Sequence, residues 1–178
     1  MRMQLVAGLA LSAVFVLSGC VAPQSIVMPT SAQTSTPVFA SDEEALAAAT
    51  AAYTEYLRVS DAITADGGAN PERIKPLVTA EQYAVELAGF TSLSAEGWQT
   101  RGESTFTNAL LQTYDVAGNV SIYVCSNTAG IQVTDSAGVD VTPASAQKQQ
   151  TLQVSFFAGS NVGLVLERTE VWDSKANC

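Results

Sequence analysis

The stretch Ser41–Ala65, SDEEALAAATAAYTEYLRVSDAITA, decides the fold of this chain. Its apolar side chains recur at helical spacing, which predicts one long amphipathic helix. Ser41 and Glu44 have the spacing of a capping box, in which a hydroxyl and a carboxylate satisfy each other's backbone N–H groups. Gly67 and Gly68 end the pattern. The predicted inner stripe comprises Leu46, Ala49, Tyr53, Tyr56, Leu57, Ser60 and Ile63.

Two shorter helices are predicted after the glycine pair. Asn70 before Pro71 is typical of a helix start, with the asparagine as cap and the proline at the first helical position. That helix should stop near Pro76. Thr79 and Gln82 form a second capping box. The inner stripe of the third helix is predicted to be Tyr83, Leu87 and Phe90.

The apolar period changes to two after Gly97, as it does in strands. The strand segments are Thr100–Tyr114, Val120–Asn127, Gln149–Phe157 and Gly163–Trp172, with a short hairpin of Ile131–Thr134 and Val139–Val141 around a turn at Asp135–Gly138. Helices first and antiparallel strands afterwards indicate the α+β class.

The N-terminus has the features of an export signal. Arg2 precedes the apolar run Leu5–Leu17, whose about 13 residues are too few to span a ~30 Å hydrocarbon core. The residues Leu17-Ser18-Gly19-Cys20 resemble the bacterial lipobox, which implies diacylglyceryl transfer to the Cys20 thiol, palmitate-type acylation and cleavage before that cysteine. The alternative is an ordinary signal peptide with a chance cysteine at the cleavage point.

Three regions follow from these patterns. Residues 1–19 are a lipoprotein signal peptide. Residues 20–40 are the lipidated cysteine and a flexible tether, because Val21–Ala40 is uncharged, aperiodic and rich in Pro, Ser, Thr and Gln. Residues 41–178 are one α+β domain, which we expect to fold without the tether. The expected location is the extracytoplasmic face of the cell membrane, with the two acyl chains as the anchor.

The composition excludes several functions. Acidic residues outnumber basic ones by 17 to 8 and no basic cluster occurs, so that a nucleic-acid partner is excluded. The chain has 0 histidines, which removes Ser-His-Asp and Cys-His catalytic sites and nearly every zinc site. No glycine-rich phosphate loop or other cofactor motif is present, and we predict neither metal nor cofactor.

A family resemblance rests on a set of short motifs in the second half of the chain. These are Gly97-Trp98, Arg101-Gly102, Tyr123-Val124-Cys125, the run Val139–Pro143, Glu170-Val171-Trp172 and the final Cys178. With the helix order, they make Ser41–Cys178 resemble small actinobacterial lipoproteins with a nuclear transport factor 2-like domain, the cone fold that also houses ketosteroid isomerases. The resemblance implies a curved antiparallel sheet wrapped around the long helix, with a pocket at its open end.

That resemblance leaves one catalytic design open, a carboxylate base opposite a tyrosine donor, as in ketosteroid isomerases. The candidate residues for lining such a pocket are Tyr53, Tyr56, Asp61, Tyr83 and Trp98. The simpler interpretation is that the aromatic residues are core residues with satisfied polar tips and that Asp61 is a solvated helix residue. We assign no catalytic residue.

The remaining cysteines, Cys125 and Cys178, are predicted to form a disulfide. Two cysteines are left once Cys20 carries lipid, and the exported location lets a bridge persist. The alternative is a buried free thiol at Cys125 and an unpaired Cys178.

The sequence therefore predicts a membrane-anchored, non-enzymatic structural or binding module. Its partner is expected to be an envelope protein, a cell-wall component or a small apolar ligand. The alternative function is an isomerase- or cyclase-type enzyme, or a carrier of apolar ligands, that uses the cone pocket. The sequence does not specify the oligomeric state.

Overall fold

The fold is taken from a computed structural model of the full chain, and the structure describes residues 38–144, 146, 148–159, 163–173 and 178. The expected signal peptide, the lipidation at Cys20 and most of the tether lie outside these residues. Ser35–Cys178 is one compact unit. Within the described part of the chain, no helix is both long and apolar enough to cross a membrane.

Three helices precede the strands, as the α+β order predicts. Helix α1 spans Asp42–Ala65, a 3₁₀ helix spans Pro71–Leu77 and helix α2 spans Ala80–Glu96. The Ser41 side chain accepts a hydrogen bond from the Glu44 N–H, and Thr79 does the same for Gln82. These two hydroxyls satisfy N–H groups that would have no partner inside the helices.

The other half of each predicted capping box is different. The Glu44 carboxylate accepts from the N–H of Ala40, one residue before the cap, at 2.7 Å. The Gln82 side chain bonds Glu86 instead of turning back to Thr79. Asn70 is not a side-chain cap; it has a left-handed backbone with φ of 52°. Its structural role is the turn into the 3₁₀ helix.

In the described part of the chain, six strands form two antiparallel sheets. The strands are β1 Gln99–Arg101, β2 Thr105–Tyr114, β3 Val120–Asn127, β4 Gln132–Thr134, β5 Gln149–Gly159 and β6 Gly163–Val171. The larger sheet has the order β2-β3-β5-β6, and β1 pairs with β4 in a separate two-stranded sheet. The α+β class with three helices and antiparallel sheets is therefore confirmed.

The prediction of one strand over Thr100–Tyr114 was wrong. The chain bends at Gly102 (φ 101°), so that β1 and β2 belong to different sheets. A Cβ at Gly102 would overlap the carbonyl of Gly130, and this close approach requires a glycine. The predicted hairpin exists, but beyond the turn it is reduced to a single bridge between Thr134 and Asp140.

The core lies between α1 and the inner face of the larger sheet. Tyr53 and Ile63 of α1 pack with residues of β3 and β5 in one cluster of buried side chains. The largest almost fully buried side chains are Tyr53, Phe156, Ile63, Ile74, Ile122, Leu166, Val120, Val124 and Val154. At about 25 cal/mol per Å² of apolar surface removed from water, this cluster dominates the stability of the fold.

The boundary predicted at Ser41 lies slightly too late in the chain. Phe39 packs against the core, with its ring 6.1 Å from that of Tyr114 in an edge-on arrangement. The end of the segment assigned to the tether therefore contributes to the domain. An uncharged, proline-rich segment is not expected to pack against a domain. Phe39 is the exception here, because an aromatic ring buries a large apolar surface.

Candidate functional site

The five predicted pocket residues do not meet in one cavity. Tyr53 and Tyr56 are core residues whose rings stack at 5.9 Å. Tyr83 lies beneath the ammonium group of Lys75, and Trp98 is half-buried just beyond α2. Of the five, only Asp61 lines the two depressions described below. Tyr53, Tyr56 and Tyr83 pack in or against the core instead, which is the simpler interpretation given above for the aromatic residues.

The two tyrosines lie near a carboxylate that the sequence did not single out. The Tyr56 hydroxyl donates to Oε1 of Glu86 at 2.6 Å, and the Gln82 amide donates to the same oxygen at 2.7 Å. Gln82 is buried and Glu86 is half-buried. Helix α2 therefore turns Gln82, Glu86 and Phe90 toward α1, whereas Leu87, predicted to face inward, is exposed. The spacing of four residues between Gln82 and Glu86 was the sequence signal that could have indicated this contact.

Burial changes the acidity of both tyrosines. Desolvation, followed by the negative charge of Glu86, raises the pKa of Tyr53 to about 12. The same two causes, with the hydrogen bond to Glu86, raise the pKa of Tyr56 still further. A general acid works best when its pKa lies near the working pH. Raised pKa values make these phenols poorly suited to proton transfer at neutral pH. Both rings pack in the core, and the Tyr56 hydroxyl donates a hydrogen bond to Glu86.

A second carboxylate, Asp61, lies near the C-terminal end of α1. Its Oδ2 accepts from the Ser104 N–H at 2.7 Å, and its Oδ1 accepts from the Ser104 hydroxyl at 2.8 Å. Ser104 follows the bend at Gly102. This bend brings the N–H and hydroxyl of Ser104 to the Asp61 carboxylate on α1. The sequence indicated Asp61 but not Ser104, because the contact joins residues 43 positions apart.

Two open depressions share Asp61 and Ser104, and we call them together the Asp61 cleft. The first has a volume of about 320 Å³ and lies toward the β1–β4 sheet; the second, of about 630 Å³, lies between α1 and the start of β2. The first is lined by Ser60, Asp61, Thr64, Thr100, Ser104, Thr128, Ile131, Val133, Thr142, Pro143, Ala146 and Lys148. Volumes of this order suit small organic molecules.

The hydroxyl groups in the first depression have a fixed hydrogen-bond direction. Thr64 Oγ1 donates to the backbone carbonyl of Asp61 at 3.0 Å, because a carbonyl only accepts. Thr100 Oγ1 must then donate to Thr64 Oγ1, at 2.7 Å. Ser104 Oγ donates to the Asp61 carboxylate. All three hydroxyl protons are thus used in hydrogen bonds within the protein. A ligand that contacts these oxygens can therefore use them only as acceptors.

The described residues include no group of three or more potential metal ligands among His, Cys, Asp and Glu. Cys125, on β3, and Cys178, the last residue, are at disulfide distance, with their Cα atoms 5.0 Å apart. Trp172 packs beside Tyr123 at 5.1 Å between ring centres, and its N–H bonds the carbonyl of Thr151. The C-terminal segment is thus attached to the outer face of the larger sheet.

The comparisons with known proteins bear on the fold alone. No family model matches the chain, and neither does any curated protein. Among solved structures, the intermembrane space region of chloroplast protein ARC6 is similar over 72% of this chain and 97% of its own, at 10% identity and a TM-score of 0.53. A de novo designed β-sheet protein matches 73% of this chain and 88% of its own at 12% identity, with a TM-score of 0.32. At such identities, the chain shares an arrangement of elements with the ARC6 region and its function must be argued from its own residues.

Proposed function

We propose that this chain is a lipoprotein anchored through Cys20 to the extracytoplasmic face of the cell membrane, and that its domain is a non-catalytic binding module. The first part is supported by the lipobox pattern Leu17-Ser18-Gly19-Cys20 behind a short apolar segment. Two acyl chains provide stable attachment where a single chain is marginal. A formal net charge of −9 makes adhesion of the domain to anionic head groups unfavourable, which gives the lipid the anchoring role.

The domain is proposed to be a cone of the nuclear transport factor 2-like kind. Support comes from α1 packing against one face of a four-stranded antiparallel sheet. Irregular register occurs in β2 after Thr107 and after Leu111, and in β6 at Glu167, between the partners of Ser155 and Phe156. Such bulges bend strands, and a sheet that wraps a helix needs bends of this kind. The ARC6 region provides a likeness in fold only.

The observation that carries the non-catalytic assignment is the occupied interior. The space between α1 and the sheet, where an enzyme of this fold would place its substrate, is filled by Tyr53, Ile63, Ile122 and Phe156, each at most 2% exposed. The one tyrosine–carboxylate pair near it, Tyr56 and Glu86, lines neither depression of the Asp61 cleft. We therefore assign this pair to the structure of the domain, as a contact between α1 and α2.

A small-ligand carrier is the second candidate, and the Asp61 cleft is the observation that favours it. Its lining includes a carboxylate, several hydroxyls and apolar side chains, the mixture typical of ligand sites. No tyrosine lines either depression, so that an isomerase-type acid–base pair has no donor there. The cleft thus suits binding better than catalysis. An envelope protein or a cell-wall component is the alternative partner.

Cell fractionation with mass spectrometry of the N-terminal peptide tests the proposal. In wild type we expect a membrane-bound protein whose first residue is a diacylglyceryl-modified Cys20. Cys20→Ser should remain uncleaved by lipoprotein signal peptidase and lack the thioether lipid. Cys178→Ser is the matched control, because it removes a cysteine and should leave the lipid in place. An unmodified N-terminus at Val21 or beyond in wild type would overturn the anchoring proposal.

A further inference from the structure

Among the described residues, no basic side chain forms a salt bridge with Asp61. Both hydrogen bonds to its carboxylate come from Ser104, through a neutral N–H and a neutral hydroxyl. The salt bridges among the described residues join Arg58 to Glu55, Arg73 to Asp66 and Arg168 to Glu170. Asp61 is therefore a carboxylate acceptor in the wall of a cleft, without a salt-bridge partner in the described part of the chain.

Among the described residues that line the cleft, the basic ones are Arg58, which forms a salt bridge with Glu55, and Lys148, which contributes a small charge effect at Asp140. Arg58 forms a two-pronged hydrogen bond with Glu55, at 2.6 and 2.7 Å. Lys148 acts on Asp140: hydrogen bonds from Gln132 and Thr142 are the main causes that lower the pKa of Asp140 to about 2, and the charge of Lys148 adds to them. A cationic group brought into the cleft would therefore find a partner at Asp61.

The hydroxyl groups near Asp61 determine which ligand groups can hydrogen-bond in the cleft. Ser104, Thr64 and Thr100 direct their protons into the protein, so that they and the carboxylate offer acceptors to a ligand. A primary ammonium group has three donors and no acceptor, which matches this wall. An anion or a carbonyl would find no donor among these three hydroxyls.

The lining of the first depression also includes apolar side chains, which suit an apolar ligand body. Ile131 and Val133 are half-buried in the first depression, and Pro143 lies beside them. The volume of about 320 Å³ exceeds what a bare ion needs and suits a short aliphatic or aromatic group. The lining of the cleft thus combines a carboxylate acceptor with hydrocarbon side chains.

We propose that the Asp61 cleft binds the protonated primary amine of a small ligand with an apolar body, with Asp61 as its counter-ion and the Ser104 and Thr100 hydroxyls as further acceptors. The inference deepens the proposed binding module by naming its ligand class. In this proposal Asp61 binds the ligand, whereas the tyrosines beside Glu86 have a structural role only.

A probe series on the full chain in detergent micelles tests this assignment. The probes are n-butylammonium, which is protonated at pH 7 as a lysine side chain is, n-butanol as its neutral isostere, and butyrate as the anion. Binding is followed by NMR at the Ser104 amide, whose N–H donates to Asp61. We expect n-butylammonium to bind at least about tenfold more tightly than n-butanol, since charge-assisted hydrogen bonds are roughly twice as strong as neutral ones. Butyrate should bind most weakly.

The matched variants are Asp61→Asn and Asp66→Asn. Asp61→Asn should abolish the preference for n-butylammonium over n-butanol. Asp66→Asn removes an equal charge just beyond the end of α1, from an exposed pair with Arg73, and should preserve the preference. Equal affinities in wild type, or a preference that survives Asp61→Asn, would overturn the inference. Membrane anchoring through Cys20 is measured separately, so that failure of one leaves the other standing.

Discussion

Glu86 and Asp61 are two helix carboxylates that each accept two hydrogen bonds, yet their surroundings differ. Glu86 receives both bonds from the side chains of buried residues, Tyr56 and Gln82, beside a filled core. Asp61 receives both from one loop residue, Ser104, and lines an open cleft. The number of hydrogen bonds therefore does not separate a structural carboxylate from a candidate binding one. What separates them is whether lone pairs of the carboxylate and its neighbours remain accessible to a ligand.

The largest effect is expected for Tyr53→Ala, which tests whether the Glu86 side is a tightly packed core. The Tyr53 ring lies 5.0 Å from Phe106 and 5.9 Å from Tyr56, and it is 2% exposed. Removing a buried aromatic ring costs about 3–5 kcal/mol, because a cavity remains. Urea unfolding of the full chain in detergent measures this loss. Thr54→Ala, exposed on the next position of α1, is the control; equal losses for the two variants would contradict a filled interior.

The second largest loss of stability is expected when the bridge at Cys178 is removed. This bridge involves neither Glu86 nor Asp61. Cys125 and Cys178 lie at disulfide distance, and a bridge between them closes a span of 53 residues. Such a bridge contributes at most roughly 4 kcal/mol in the chain-entropy model. Cys178→Ala should therefore lower the free energy of unfolding by about 2–4 kcal/mol without altering probe binding in the Asp61 cleft. Two free thiols per chain in unfolded, non-reduced wild type would refute the bridge itself.

The smallest losses of stability are expected for two variants that compare Glu86 with Asp61. Tyr56→Phe removes one donor from Glu86 and should cost about 1–3 kcal/mol, the range for a buried group that loses its partner. Asp61→Asn keeps an oxygen acceptor for the Ser104 N–H and should cost at most about 1 kcal/mol. Thermal unfolding of both variants gives the ranking. The reverse order would mean that Asp61 is the structural carboxylate and Glu86 the dispensable one.

The sequence predicted local features better than contacts between distant segments. The range of α1 and that of β3, Val120–Asn127, agree with the structure because periodicity and turn residues define both. The bend at Gly102 was missed because it depends on the approach of Gly130, a distant residue. Asp61 was predicted as a candidate, whereas Ser104 and Glu86 were not. Their roles arise from contacts across 43 and 30 residues, which no local pattern encodes.

The pKa of the buried phenols provides the sign of the pH dependence. Desolvation and the charge of Glu86 raise the pKa of Tyr53 to about 12 in the folded state, against about 10 for an unfolded chain. The folded state thus holds this proton more tightly. Its contribution to stability is present below about pH 10 and is lost as the pH rises toward 12.

Titration of Tyr53 by near-ultraviolet absorbance therefore tests most directly whether the interior is closed and the function lies in the Asp61 cleft. The difference between wild type and Tyr53→Phe isolates this one phenol. The account predicts that it ionises near pH 12 or together with unfolding. Ionisation near pH 10 in the folded protein would show that water reaches the interior, and it would contradict the assignment of binding to the Asp61 cleft alone.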